Sequence, residues 1–170
     1  MKKLLSITAC ILILLAGCNQ ENTPKEPGKI EAPAAPMTSY VPIFVSGNEA
    51  GPFSIIRLDT TNLLGYQARS GTMNLMEAVT DHPDLMGYIV INKVYSFGPD
   101  RYVLIVSTGE NGRSCPATTY AISFDTKNEY VDGATGIDGC AEALDSLAEG
   151  NKLTIKKDGA ATVIYNGVIK

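Results

Sequence analysis

"YIVINKVYSFGPDRYVLIVST", residues 88–108, sets the class of the fold. Two runs rich in β-branched and aromatic residues flank Gly98-Pro99-Asp100, a turn cluster. The stretch therefore reads as a β-hairpin, with one strand over 88–97 and its return over 101–108. The signal continues downstream. A loop over 109–117 leads to "TTYAISFD" (118–125), and Thr126-Lys127-Asn128 turns into a short "EYV" (129–131). Residues 151–157 alternate Leu153 and Ile155 with polar neighbours. Asp158-Gly159 is a hairpin signal, "ATVIY" (161–165) returns, and Asn166-Gly167 offers a further turn before Val168 and Ile169. Upstream, "YVPIFVSG" (40–47) and "FSIIRLDT" (53–60) are two more β-rich runs separated by a turn cluster at 48–52.

Two stretches break this pattern. Met73, Met76 and Val79 stand at helical spacing, so a short helix is expected over 72–80. Asp81-His82-Pro83-Asp84 would end it, because the residue before a proline avoids the α region. Ala141, Leu144 and Ala148 fit one helical face, which suggests a second short helix over 141–148. The expected class is mainly β: a small antiparallel sheet or meander, sandwich- or barrel-like, with one or two short helices. The composition agrees, with 16 glycines, 9 prolines and no tryptophan. At 170 residues and 45% hydrophobic, the chain suits one domain, over 40–170. Its net charge of −4 argues against nucleic acid, which selects a basic stripe.

The first eighteen residues read differently. Met1-Lys2-Lys3 is a basic start, and the apolar run over 4–15 is shorter than the ~20 residues that span a bilayer. That order suits a secretory signal. The run closes on Leu15-Ala16-Gly17-Cys18, which resembles the lipobox of bacterial lipoproteins. The resemblance implies cleavage before Cys18, a diacylglyceryl thioether on its sulfur, and acylation of the freed amine. Each buried CH₂ contributes roughly 0.8 kcal/mol, so several chains anchor a protein durably. Asn19 stands where an aspartate favours retention at the inner membrane, so the resemblance implies the outer membrane, facing the periplasm. Residues 19–39 are polar and proline-rich, with no apolar period. They read as a disordered tether, or as a strip with no spacing role. Loss of Lys2 and Lys3 with the leader takes the net charge from −4 to −6. That acidity weakly favours a basic protein partner.

Four cysteines are present. Cys10 lies in the apolar leader and Cys18 is the expected lipid site. Cys115 and Cys140 remain, an even pair in an oxidising compartment, where a disulfide is the expected state. The bridge would close about 25 residues, worth ~3.5 kcal/mol in the chain-entropy model. A zinc site needs four ligands and a redox motif needs C-x-x-C; neither pattern is present. The arrangement Cys115-Pro116-Ala117, Tyr120, an Asp-centred turn, Gly136 and Gly139-Cys140 resembles poorly characterised disulfide-bonded periplasmic β proteins. That resemblance covers roughly 102–168. It implies an envelope location, a β fold and cysteines that tie a hairpin to the next segment, and it carries no catalytic residues.

The remaining candidates are weak chemically. His82 is the single histidine and sits in a turn, with no triad pattern around it. "DGATGIDG" (132–139) offers two Asp-Gly pairs, which are turn chemistry before they are calcium chemistry. "STGENGRSCPA" (107–117) lacks the order of a phosphate loop. Arg113 is the exception: a loop stapled by a disulfide presents a side chain at low entropic cost, which makes it a candidate binding residue. Sheet packing accounts for the aromatics from Tyr88 to Tyr130. The sequence therefore points to a non-enzymatic, lipid-anchored envelope protein with no cofactor or metal. Its β domain is expected to bind another protein, as inhibitors and immunity proteins of periplasmic enzymes and toxins do. The alternative is a structural or assembly role in an envelope or secretion complex.

Overall fold

The computed structural model describes residues 38–83, 87–109, 115 and 117–170. Cys18 and Arg113 lie outside them. The described residues form three antiparallel sheets. The central sheet has the order β1 (Tyr40–Ile43), β7 (Ile89–Phe97), β8 (Arg101–Thr108), β9 (Thr118–Asp125), β10 (Tyr130–Ile137). Between β1 and β7 the chain builds a second sheet, a meander of β2 (Val45–Ser46), β3 (Glu49–Ala50), β4 (Phe53–Leu58), β5 (Thr61–Ala68) and β6 (Gly71–Asn74). After β10 comes a third, of β11 (Asp145–Glu149), β12 (Lys152–Lys157) and β13 (Ala160–Tyr165).

The expected hairpin over 88–108 is the middle of this arrangement, as β7 paired with β8. In β8 every residue from Val103 to Thr108 is buried. Leu104 and Val106 pack into one core with Phe53, Leu64 and Phe124. Val103 and Ile105 pack into another with Leu153, Ile155 and Ile164. Successive side chains of a strand point to opposite faces, so the central sheet is covered by the meander on one face and by β11–β13 on the other. Aromatics fill the first core: Phe53 meets Tyr102 and Phe124 at ring-centroid distances of 5.3 and 5.6 Å, and Tyr66 meets Phe124 at 4.5 Å.

Three local expectations are corrected. Residues 141–148 are not a helix, since 145–149 pair with β12. Ser146 faces inward and hydrogen-bonds Tyr95 Oη at 2.6 Å and Lys93 Nζ at 2.8 Å, while Leu147 points out. That is a strand period, and the helical spacing of Ala141, Leu144 and Ala148 is incidental. The segment 72–80 divides into β6 and one 3₁₀ turn, Leu75–Ala78, capped by Asn74 Oδ1 on the Met76 amide. "DGATGIDG" is mostly strand, because 132–137 belong to β10. A bulge between Val131 and Gly133 takes up the first glycine, and Gly136 pairs in register with Tyr120.

Candidate functional site

The disulfide joins Cys115 to Cys140, with their Cα atoms 4.9 Å apart. Both arms are gripped by the turn that follows β12. The Asp158 carboxylate accepts from the Cys140 and Ala141 amides, the latter at 2.8 Å. Lys157, only 2% exposed, donates from Nζ to the Ala117 carbonyl at 3.2 Å and to Thr119 Oγ1 at 2.9 Å. Thr119 bonds Ser107 at 3.0 Å, and Ser107 Oγ bonds Asn92 Oδ1 at 2.7 Å. The hydroxyls thus form a directional chain from ammonium to amide oxygen. The sequence marked Cys115 and Cys140, and Asp158 only as a turn residue, but not Lys157. The signal was there: 153, 155 and 157 share a face, so the lysine falls on the buried one.

The other sequence candidates do not converge. His82 is exposed, and its amide bonds Thr80 Oγ1 at 3.2 Å as a turn residue does. Asp132 is turned to the Arg101 guanidinium and Asp138 is exposed. Among the described residues no group of three or more histidine, cysteine or acidic side chains could hold a metal ion.

A different feature is built for contact. Exposed sheet edges invite pairing by other chains, and proteins blunt them with proline, charge, bulges or shortness. Here β1 carries Pro42, β2 has two residues, β6 has four, and β11 carries Asp145 and Glu149. β10 has its bulge, and the C-terminal residues cross it. Gly133 permits that crossing, since a Cβ there would run into the Ile169 carbonyl oxygen. Six-residue β13, "AATVIY", has none of these protections.

The geometry of that edge follows from its turn. Asp158 (φ 49°) and Gly159 (φ 81°) make a two-residue hairpin turn with both residues left-handed. The closing pair Lys157/Ala160 is then hydrogen-bonded, and pairing alternates outward from it. The Asn166 amide on the Asn151 carbonyl, at 2.9 Å, keeps the same alternation. Ala161, Val163 and Tyr165 therefore turn their amides and carbonyls away from β12. The Tyr165 carbonyl is taken by the Val168 amide at 3.1 Å. Among the described residues no strand pairs with Ala161 or Val163 on that side. A groove of about 540 Å³ runs beside them, with Thr162, Val163 and Tyr165 on one wall and Thr135, Ile169 and Lys170 on the other. A second surface lies at the corner between β1 and β2, where Phe44 is 83% exposed beside a groove of about 430 Å³.

No family model, curated protein or solved structure matches this chain.

Proposed function

We propose that this chain is an envelope lipoprotein, anchored through lipid on Cys18, whose β domain is a protein-binding module. The observation that carries the reading is the bare edge of β13 with its groove. Strand addition to such an edge gives affinity through main-chain hydrogen bonds and specificity through alternate side chains. An inhibitor or immunity protein needs nothing more than this, because a rigid edge that captures a segment of an enzyme or toxin blocks it without chemistry. Phe44 favours the second reading, an assembly role. An exposed aromatic at a groove is the type of residue that anchors an interface, and two separate docking surfaces suit a component of a larger complex.

A capture from detergent-solubilised envelopes tests both readings, using the wild type, Val163→Pro and Phe44→Ser. Proline is tolerated where an edge N–H faces outward, so Val163→Pro removes the donor without cutting the sheet. A single stoichiometric partner lost only with Val163→Pro is the expected result. Retention by Val163→Pro with loss by Phe44→Ser would transfer the function to the corner. Labelling with a fatty-acid analogue tests the anchor: Cys18→Ser should abolish incorporation, because a hydroxyl is a far weaker nucleophile than a thiolate.

A further inference from the structure

We infer that the β13 edge selects an extended segment carrying a carboxylate two residues from a β-branched apolar residue, on the face turned away from the groove. The inference rests on the strand-addition reading above and names the chemistry of the partner. The outer face of β11–β13 is a grid of three rows. Asp145, Lys156 and Ala161 form the first, Leu147, Thr154 and Val163 the second, and Glu149, Lys152 and Tyr165 the third. The middle column supplies two lysines, and the acidic residues stand on the far edge.

A strand added beside β13 would extend each row by one place. In the first row the new neighbour of Ala161 lies about 10 Å, two strand spacings, from Lys156. Ala161 has only a methyl group, so nothing stands between an extended lysine and an extended glutamate. Among the described residues Lys156 is in no ion pair. In the third row Tyr165 fills the equivalent space, and Lys152 already faces Glu149 at 3.9 Å. The carboxylate therefore belongs opposite Ala161 and not opposite Tyr165. In the second row Val163 is 42% exposed and has Thr154 as its inner neighbour, which asks for a β-branched valine or isoleucine opposite it. The two lysines and two acids of this face cancel, and the whole chain carries net −4, so the attraction is local to Lys156, short-ranged and salt-sensitive. The occupant is a single strand and not a second copy, because the wall opposite β13 carries Thr135 of β10, beside which a second three-layer domain would have to fit.

The test uses the full chain and a fluorescein-labelled, end-blocked heptapeptide of alternating threonine and valine with glutamate at one outward position. Two companions are its lysine twin and a twin N-methylated on alternate amides. Anisotropy at low salt should show the glutamate peptide binding about fivefold tighter than the lysine twin, the yield of one exposed ion pair. Lys156→Gln should remove that difference. Val163→Pro and N-methylation should abolish binding. If Val163→Pro fails to fold, the N-methylated peptide makes the same test on the wild type. Equal binding of the charge twins, with both lost in Val163→Pro, would overturn the inference and leave the strand-addition reading standing. Binding indifferent to Val163→Pro and to N-methylation, or no binding of any peptide, would overturn both. A dimer in sedimentation that dissociates with Val163→Pro would show a second copy to be the occupant and overturn the inference.

Discussion

At position 157 the inward column of β12 changes from leucine and isoleucine to lysine. Taking an ammonium out of water costs several kcal/mol, and this one is compensated by two oxygens, Ala117 O and Thr119 Oγ1. Two charge-assisted hydrogen bonds return ~1.5–3 kcal/mol each, so the two terms nearly cancel. What remains is the packing of the long stem. We therefore expect Lys157→Met to stay within ~1 kcal/mol of the wild type, since volume is kept and the desolvation cost vanishes with the charge. Lys157→Ala should lose ~3 kcal/mol through the cavity it leaves. Urea denaturation of both variants decides it. Equal losses would mean that the charge itself, through Ala117 and Thr119, holds β12 in place.

At the scale of elements, the segment between β10 and β11 is held by few contacts. Residues 138–143 contribute no buried side chain; the disulfide and the Asp158 carboxylate hold them. The Cys115→Ala, Cys140→Ala double variant should lose about 2–4 kcal/mol. Asp158→Asn in that background should free the segment further, read as faster amide exchange at Cys140→Ala and Ala141. Unchanged exchange there would mean that the pairing of β11 with β12 alone holds the segment. Affinity of the same variants for a captured partner separates a role of the 109–117 loop, with Arg113→Ala as its probe, from that of β13. The elements also differ in how legible they were. The hairpin over 88–108, the Asp158-Gly159 turn and the cysteine pair stood out because turn chemistry and composition mark them locally. The covering of β8 on both faces was present too, in the unalternating Val103-Leu104-Ile105-Val106, which only its partner sheets make intelligible. β11 was hidden because its inward positions are Ser146, a polar residue, and Ala148, a small one. The β13 edge was legible as a strand but not as an edge, since that depends on what the other five edges carry.

For the molecule as a whole, two buried groups make stability depend on pH in opposite directions. Burial raises the Tyr40 hydroxyl above its usual range, against a smaller lowering by the Gly167 amide that donates to it. The same hydroxyl donates to the Ile164 carbonyl at 3.2 Å and so joins β1 to β13. Its contribution is full below the unfolded value of about 10 and is lost as pH rises through the folded value. Asp125 runs the other way. The Asn128 side chain and then its amide hold the carboxyl below the usual range, with help from the Lys127 amide. Its contribution is present above about pH 3.9 and is lost as pH falls through the folded value. A plateau bounded by these limits is expected in thermal melts. Tyr40→Phe should flatten the alkaline limb alone and Asp125→Asn the acid limb alone. An unchanged slope on either side would reassign that limb to other groups.

Tyr40 has a mechanical consequence. β1 begins at Tyr40, so a pull from the N-terminal side meets this residue before any other of the sheet. Its amide is bonded to Gly150, its hydroxyl to Ile164 and Gly167, and its ring lies against Tyr95 and Phe97. Those contacts reach β7, the β11–β12 turn, β13 and the turn after it. A pull at that end is therefore shared at once between two sheets, and β1 cannot be drawn out without loosening the Gly167 turn that follows β13.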